Sequence, residues 1–189
     1  MAAAFDFKVV VAGPFASGKT TLIRSISDIE VVGTEAPTSG REAEVKETTT
    51  VGMEYGTFST TDEDLEVNLY LYGVPGQPRF EFMWDIVAEG MDGLVLLVDA
   101  TAPDTWDEAV AVAWHFRARR DPPTVVAINR AYDDVDLVAK VRDSIDLEHA
   151  GYVTCDVTDR ASARAALIEL FLLLLDEMPD EMPDDEIAV

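Results

Sequence analysis

Residues 9–25 read VVVAGPFASGKTTLIRS. An unbroken apolar run climbs into Gly13, a short loop follows, and the chain then places Leu22, Ile23 and Ile26 at helical spacing. Gly13-Pro14-Phe15-Ala16-Ser17-Gly18-Lys19-Thr20 fits the pattern G-x-x-x-x-G-K-[ST], after a strand and before a helix, which is the context the pattern requires. The chemistry explains the spacing. Glycines let backbone N–H groups turn inward around a β-phosphate, and the helix N-terminus adds favourable partial charge. Lys19 is placed to neutralise β/γ oxygens, and the hydroxyl of Thr20, followed by Thr21, is placed to bind Mg²⁺. The loop points to a nucleoside triphosphate and is silent about the base.

Working outward, the apolar pattern predicts a strand over Phe5–Ala12 and a helix over 18–27. Residues 33–49 are polar and unpatterned and read as a long functional loop. Strands are expected over 51–59 and 65–72, forming an antiparallel pair across the turn-like TTDED. A helix follows over 81–89. Strands at 94–98, 124–128 and 152–155 then alternate with helices at 103–119, 135–145 and 162–176. Such alternation predicts an α/β fold of the P-loop NTPase kind: a three-layer sandwich around a mostly parallel six-stranded sheet with one antiparallel strand.

Two further stretches narrow the class. Thr50 ends the polar loop at the head of a predicted strand, where it can reach Mg²⁺ and a γ-phosphate and hold the loop closed. In GVPGQPRF, Gly76 can offer its backbone N–H to the γ-phosphate and Gln77 can orient an attacking water. Phosphate loop, threonine and Pro-Gly-Gln occur in the order of a γ-phosphate sensor. Arg41 and Arg79 are candidate internal arginine fingers, with salt-bridge anchoring as the plainer reading of each. His115 and His149 read as packing or surface residues, and Trp84 as a core residue.

Composition bounds the partners. The chain has 189 residues, 37 Asp+Glu against 14 Lys+Arg, and a formal net charge of −23. The charge argues against nucleic acid and anionic membrane as partners, since both would be repelled. Acids spread along the whole chain suit a high-salt cytoplasm, where screening removes most self-repulsion; the plainer reading is an acidic mesophilic protein with an acidic tail. No apolar run reaches the roughly 20 residues of a membrane helix, no lipid-anchor motif is evident, and Cys155 is the single cysteine, so a reducing cytoplasm is expected. Residues 1–176 read as one domain, and the acidic, proline-bearing 177–189 as a disordered tail.

On these residues the chain resembles the Ras-like small GTPases. PGQPRF is close to the G-Q-x-R-F of the Rab branch, and TVG to its T-I-G. ETTTVGMEYG, LYLYGVPGQPRFEFMWD, LVLLVDAT, VVAINR and TCD are similar to prokaryotic small GTPases encoded in conservons, themselves similar to gliding-polarity GTPases. The resemblance implies a GTP/GDP switch with slow, Mg²⁺-dependent hydrolysis and a roadblock/LC7-type protein regulator. It implies catalytic roles for Gln77, Lys19 and Thr50, and Mg²⁺ held by Thr20 and Thr50.

Where this family has the base-reading pattern N-K-x-D, the chain has Asn129 and Arg130, then Tyr132 in the acid's place and Asp133 one residue late. A one-residue bulge would bring Asp133 to guanine; without it, guanine selectivity is weak or lost. TCD makes Cys155 the residue whose backbone N–H meets the guanine O6. The family's Mg²⁺-holding aspartate is replaced by Gly73, and Asp99, the nearest acid by type, reads as a turn cap. Two other readings stand beside the switch: a nucleotide-binding scaffold with little or no hydrolysis, and an ATP-dependent P-loop protein. A metabolite kinase is disfavoured, since no arginine-rich lid is evident.

Overall fold

A computed structural model of the chain describes residues 3–33, 35–37, 48–50, 52–62, 65–118 and 120–177. Its centre is a six-stranded sheet. β1 (Ala3–Ala12) lies between β5 (Leu65–Gly73) and β6 (Gly93–Asp99), both parallel to it, and β7 (Thr124–Asn129) and β8 (Ala150–Cys155) extend the parallel sheet beyond β6. β4 (Glu54–Asp62) pairs antiparallel with β5 at the opposite edge. The expected fold class is the one observed.

Period-two alternation explains why the central strands read as unbroken apolar runs. Val9 and Val11 face one layer, where α1 (Lys19–Ile26) and α5 (Arg160–Asp176) pack through Leu22, Ile23, Ile26, Leu167 and Leu170. Val10 and Ala12 face the other, against α2 (Phe82–Ala88), α3 (Trp106–Arg117) and α4 (Val135–Ser144) through Trp84, Val112, Phe116 and Val141. A strand covered on both faces has no position for a polar residue. Parallel strands also bring the ends of β1, β5, β6, β7 and β8 to a single edge, and β1 sits where the strand order reverses. That is where open α/β sheets bind ligands.

The structure corrects three boundaries. The stretch read as an unpatterned loop contains two short strands, β2 (Glu35–Pro37) and β3 (Thr48–Thr50), paired antiparallel. The β-branched threonines favour that pairing although no apolar alternation marks them. Thr50 therefore closes β3 rather than opening the following strand, which starts at Glu54 instead of residue 51. The helix expected from Pro103 begins as a 3₁₀ turn over Pro103–Thr105, and α3 proper starts at Trp106. Among the described residues no helix is long and apolar enough to cross a membrane. Arg41, Val51 and 178–189 lie outside the described residues.

Candidate functional site

The loop between β1 and α1 is built on positive φ angles. Gly13 (144°), Ala16 (61°) and Gly18 (110°) adopt them, a backbone course that folds N–H groups into an anion-binding concavity. α1 has no side-chain cap and no acid in its first turn, so its first N–H groups suit an anion. Lys19 is buried in the loop, and its Nζ donates to the carbonyls of Gly13 (2.8 Å) and Pro14 (2.6 Å). Ser17, only 1% exposed, has an Oγ without a hydrogen-bond partner among the described residues. A cradle of inward-turning backbone around a buried ammonium fits a polyphosphate. Thr20 is half-buried and Thr21 exposed on α1.

The loop after β5 closes on this cradle. A Cβ added to Gly76 would lie 2.6 Å from Lys19 Nζ and 2.7 Å from the Phe15 nitrogen. Only glycine lets the backbone come so near. Trp84, in the core as expected, donates its indole N–H to the carbonyl of Pro75 (3.0 Å) and so anchors the loop to α2. Gln77 is 2% exposed, and its Oε1 accepts from Arg79 Nη2 at 2.7 Å. Arg79 thus holds the residue expected to orient water. Thr50 closes β3; its side chain lies outside the described residues.

Sequence reading missed one acid. Glu108 on α3 lies beside the Phe15 N–H and faces Lys19; burial pushes its carboxyl above the usual range, against the opposing pull of Lys19 and that N–H. Nothing in the local pattern marks it, because only the packing of α3 brings residue 108 to residue 15.

At the far end of the same edge, Asn129 joins two loops. Its Nδ2 donates to the Ser17 carbonyl (3.0 Å) and its Oδ1 accepts the Val157 N–H (3.5 Å). The phosphate cradle and the loop after β8 are therefore tied through one buried amide. Beyond it opens a cleft of about 270 Å³, lined by Arg130, Tyr132 and Asp133 after β7 and by Thr154, Cys155, Asp156 and Ser162 around the end of β8. Arg130 (φ 60°) and Tyr132 (φ 49°) flank the buried Ala131 in left-handed conformations, which doubles the chain back. Asp134 caps α4 by accepting the Leu137 N–H (2.9 Å). Asp133 is left as this loop's acid in the cleft.

The remaining polar groups set the cleft's walls. Arg130 is paired with Asp99, whose other oxygen accepts the Thr101 N–H (2.9 Å) and hydroxyl (2.7 Å). Asp99 is thus the turn cap the sequence suggests. Thr158, through its hydroxyl (2.6 Å) and its N–H (2.8 Å), holds the Asp156 carboxyl below its usual range, with the charge of Arg130 assisting. His115 packs edge-on to Trp84 and lies 3.1 Å from Asp85, tying α3 to α2 as a packing residue.

Burial, with the charge of Asp156 second, pushes the Cys155 thiol up to about 12. The folded chain is therefore expected to resist a disulfide reagent near pH 8 and to react once unfolded in guanidinium, which thiol titration checks. The sign also fixes a pH trend. The thiol's contribution to stability is complete below its ordinary value of 9.0 and is lost as pH rises toward about 12.

Residues 28–183 match the sequence profile of a family described as "conserved hypothetical ATP binding protein". The matched span begins after the phosphate loop. An uncharacterized protein of Methanocaldococcus jannaschii is similar at 32% identity over 96 residues, covering 51% of this chain and 53% of its own length. Ras-related protein RABA1a of Arabidopsis thaliana is similar at 25% identity over 122 residues, covering 65% of this chain and 51% of its own. The chain spans about half the length of the curated relatives it matches.

Proposed function

We propose that this chain, which belongs to the family of conserved hypothetical ATP-binding proteins and is a nucleotide-binding P-loop protein, works in the cytoplasm as a guanine-nucleotide switch that hydrolyses GTP slowly. The observation that carries this reading is the Asn129 bridge, which joins a phosphate cradle to a cleft containing Asp133. Residues 1–176 form the switch domain in this reading. The resemblance to Ras-like proteins supports guanine: in this reading a carboxylate at Asp133 accepts from its N1–H and N2–H₂ edge, and the backbone N–H of Cys155 meets O6.

The cradle residues act in sequence. Lys19 leaves the carbonyls of Gly13 and Pro14 to neutralise β- and γ-oxygens. Gly76 lifts from the cradle and offers its N–H to the γ-phosphate. Gln77, handed over by Arg79, orients the attacking water. Thr20 and Thr50 are the residues that would hold Mg²⁺, which would supply charge neutralisation to the phosphates. After hydrolysis the loops containing Thr50 and Gln77 relax, which makes the surface around them nucleotide-dependent. Phe82 and Ile86, one turn apart and exposed on α2, belong to that surface. A roadblock/LC7-type regulator is the partner class the resemblance supports, and the acidic composition supports work at high salt.

The family description and the displaced acid favour a second reading, an adenine nucleotide in the same cleft. Chromatography of nucleotide released from purified protein separates the two. GDP or GTP near one per chain is the expected result; adenine nucleotide moves the function to an ATP-dependent one, and none supports a scaffold. Single-turnover hydrolysis then tests the mechanism. Gln77→Leu is expected to slow it about tenfold or more, and an unchanged rate removes Gln77 from the reaction.

A further inference from the structure

A magnesium–triphosphate complex in a P-loop is held by the loop's Ser/Thr and by an acid at the end of a neighbouring strand. Here β5 pairs with β1, and its last residue, opposite Val11, is Gly73. It has no side chain to offer. Among the described residues two carboxylates are buried, Asp99 and Glu54. Asp99, at the end of β6, has one oxygen on Thr101 and the other on Arg130.

Glu54 stands elsewhere. It is the antiparallel partner of Gly73 across the β4–β5 ladder, so both residues project from the same face of the sheet. It is 3% exposed. Its Oε2 lies 3.0 Å from the point where a Cβ of residue 73 would be, and Ile23 Cδ1 lies 2.6 Å from that point. Ile23 follows Thr20 by three residues on α1, which places both on one face of the helix. A second glycine makes room on the other side: a Cβ at Gly33 would come 3.1 Å from Glu54 Cγ. The carboxylate therefore occupies the space a short acid at position 73 would fill, next to Ile23 on the face of α1 that also carries Thr20.

We infer that Glu54 takes over, from the adjacent strand, the Mg²⁺-holding role of the acid missing at Gly73, acting on the ion's water shell beside Thr20. This rests on the nucleotide-binding reading above. The pairing explains why the substitution is tolerated, since glycine at position 73 leaves the space that a longer side chain from position 54 needs.

The test uses the full chain loaded with a methylanthraniloyl-labelled nucleotide, GTP or ATP according to what the chain retains. Release is followed by fluorescence over a series of free Mg²⁺ concentrations and in EDTA. Glu54→Gln keeps the shape and removes the charge. It is expected to raise the Mg²⁺ concentration for half-maximal retention roughly 10–100-fold, while release in EDTA matches the parent chain. An unchanged Mg²⁺ dependence, or release accelerated equally in EDTA, overturns the inference and leaves Glu54 a structural residue. The double variant Glu54→Ala/Gly73→Asp moves the carboxylate back across the ladder. It is expected to return the Mg²⁺ dependence to within about threefold of the parent; a dependence displaced as in a Glu54→Ala single variant overturns the inference, including where Glu54→Gln does not fold. A parent chain that retains no nucleotide at any Mg²⁺ concentration overturns the underlying reading as well, which keeps the two failures distinct.

Discussion

Lys19→Ala is expected to weaken nucleotide binding by about a hundredfold or more, with little change in the stability of the nucleotide-free chain. Lys19 is a buried ammonium that donates to two neutral carbonyls, Gly13 and Pro14, and faces the Glu108 carboxyl. Removing it relieves a desolvation cost as well as breaking those bonds, so the two effects on folding oppose each other. Binding has no such compensation. A charge-assisted contact to phosphate is roughly twice as strong as a neutral hydrogen bond, and the loss of more than one such contact costs about 3 kcal/mol. Ligand that binds only the folded chain raises the melting temperature by mass action. The parent should therefore melt higher with Mg²⁺ and nucleotide, and the variant should melt at the same temperature with and without them. A full shift in the variant would place the phosphates elsewhere.

Gly13→Ala is expected to destabilise the fold by about 3 kcal/mol or more, combining backbone strain with a steric conflict. Gly13 has φ 144°, a conformation in which an L side chain is strained. Its added Cβ would also lie 2.2 Å from the carbonyl oxygen of Leu97. Leu97 is in β6, a fully buried strand of the central sheet, so its backbone cannot retreat without disturbing the ladder to β7. The displaced atom is main chain rather than the end of a flexible side chain, which is why the conflict is expensive. Chemical denaturation followed by circular dichroism measures the change. The β1–α1 turn should distort as well, so nucleotide retention should fall together with stability. Lys19→Ala should separate these two quantities; Gly13→Ala should not.

The two variants mark how far the sequence can be read. Gly13, Gly18, Lys19 and the apolar runs around them are legible because their constraints act within a few residues. A positive φ demands glycine locally, a strand buried on both faces demands an apolar run, and a helix start demands its spacing. Sheet order follows almost as directly, since strands alternating with helices leave few ways to cover both faces. Boundaries were less legible where β-branched residues pair without apolar alternation, as in β2 and β3.

Asp133 lies between these cases. Its displacement along the sequence is visible, but the left-handed turns at Arg130 and Tyr132 that set it beside Cys155 and Asp156 appear only in the folded loop.

By itself, then, the amino-acid sequence determined the phosphate loop, the layered α/β core and the acids and amides available near the strand ends. Only the tertiary structure decided which of them meet. Glu108 reaches Phe15 because α3 packs beside the cradle, Asp99 is spent on Arg130 and Thr101, and Glu54 fills the space at Gly73 because β4 pairs with β5 in one register. Shifting that register by a single residue would turn Glu54 to the other face of the sheet. Motif chemistry is local and survives in the order of residues, whereas a cross-strand or interhelical encounter depends on register and packing that no short stretch of chain encodes alone.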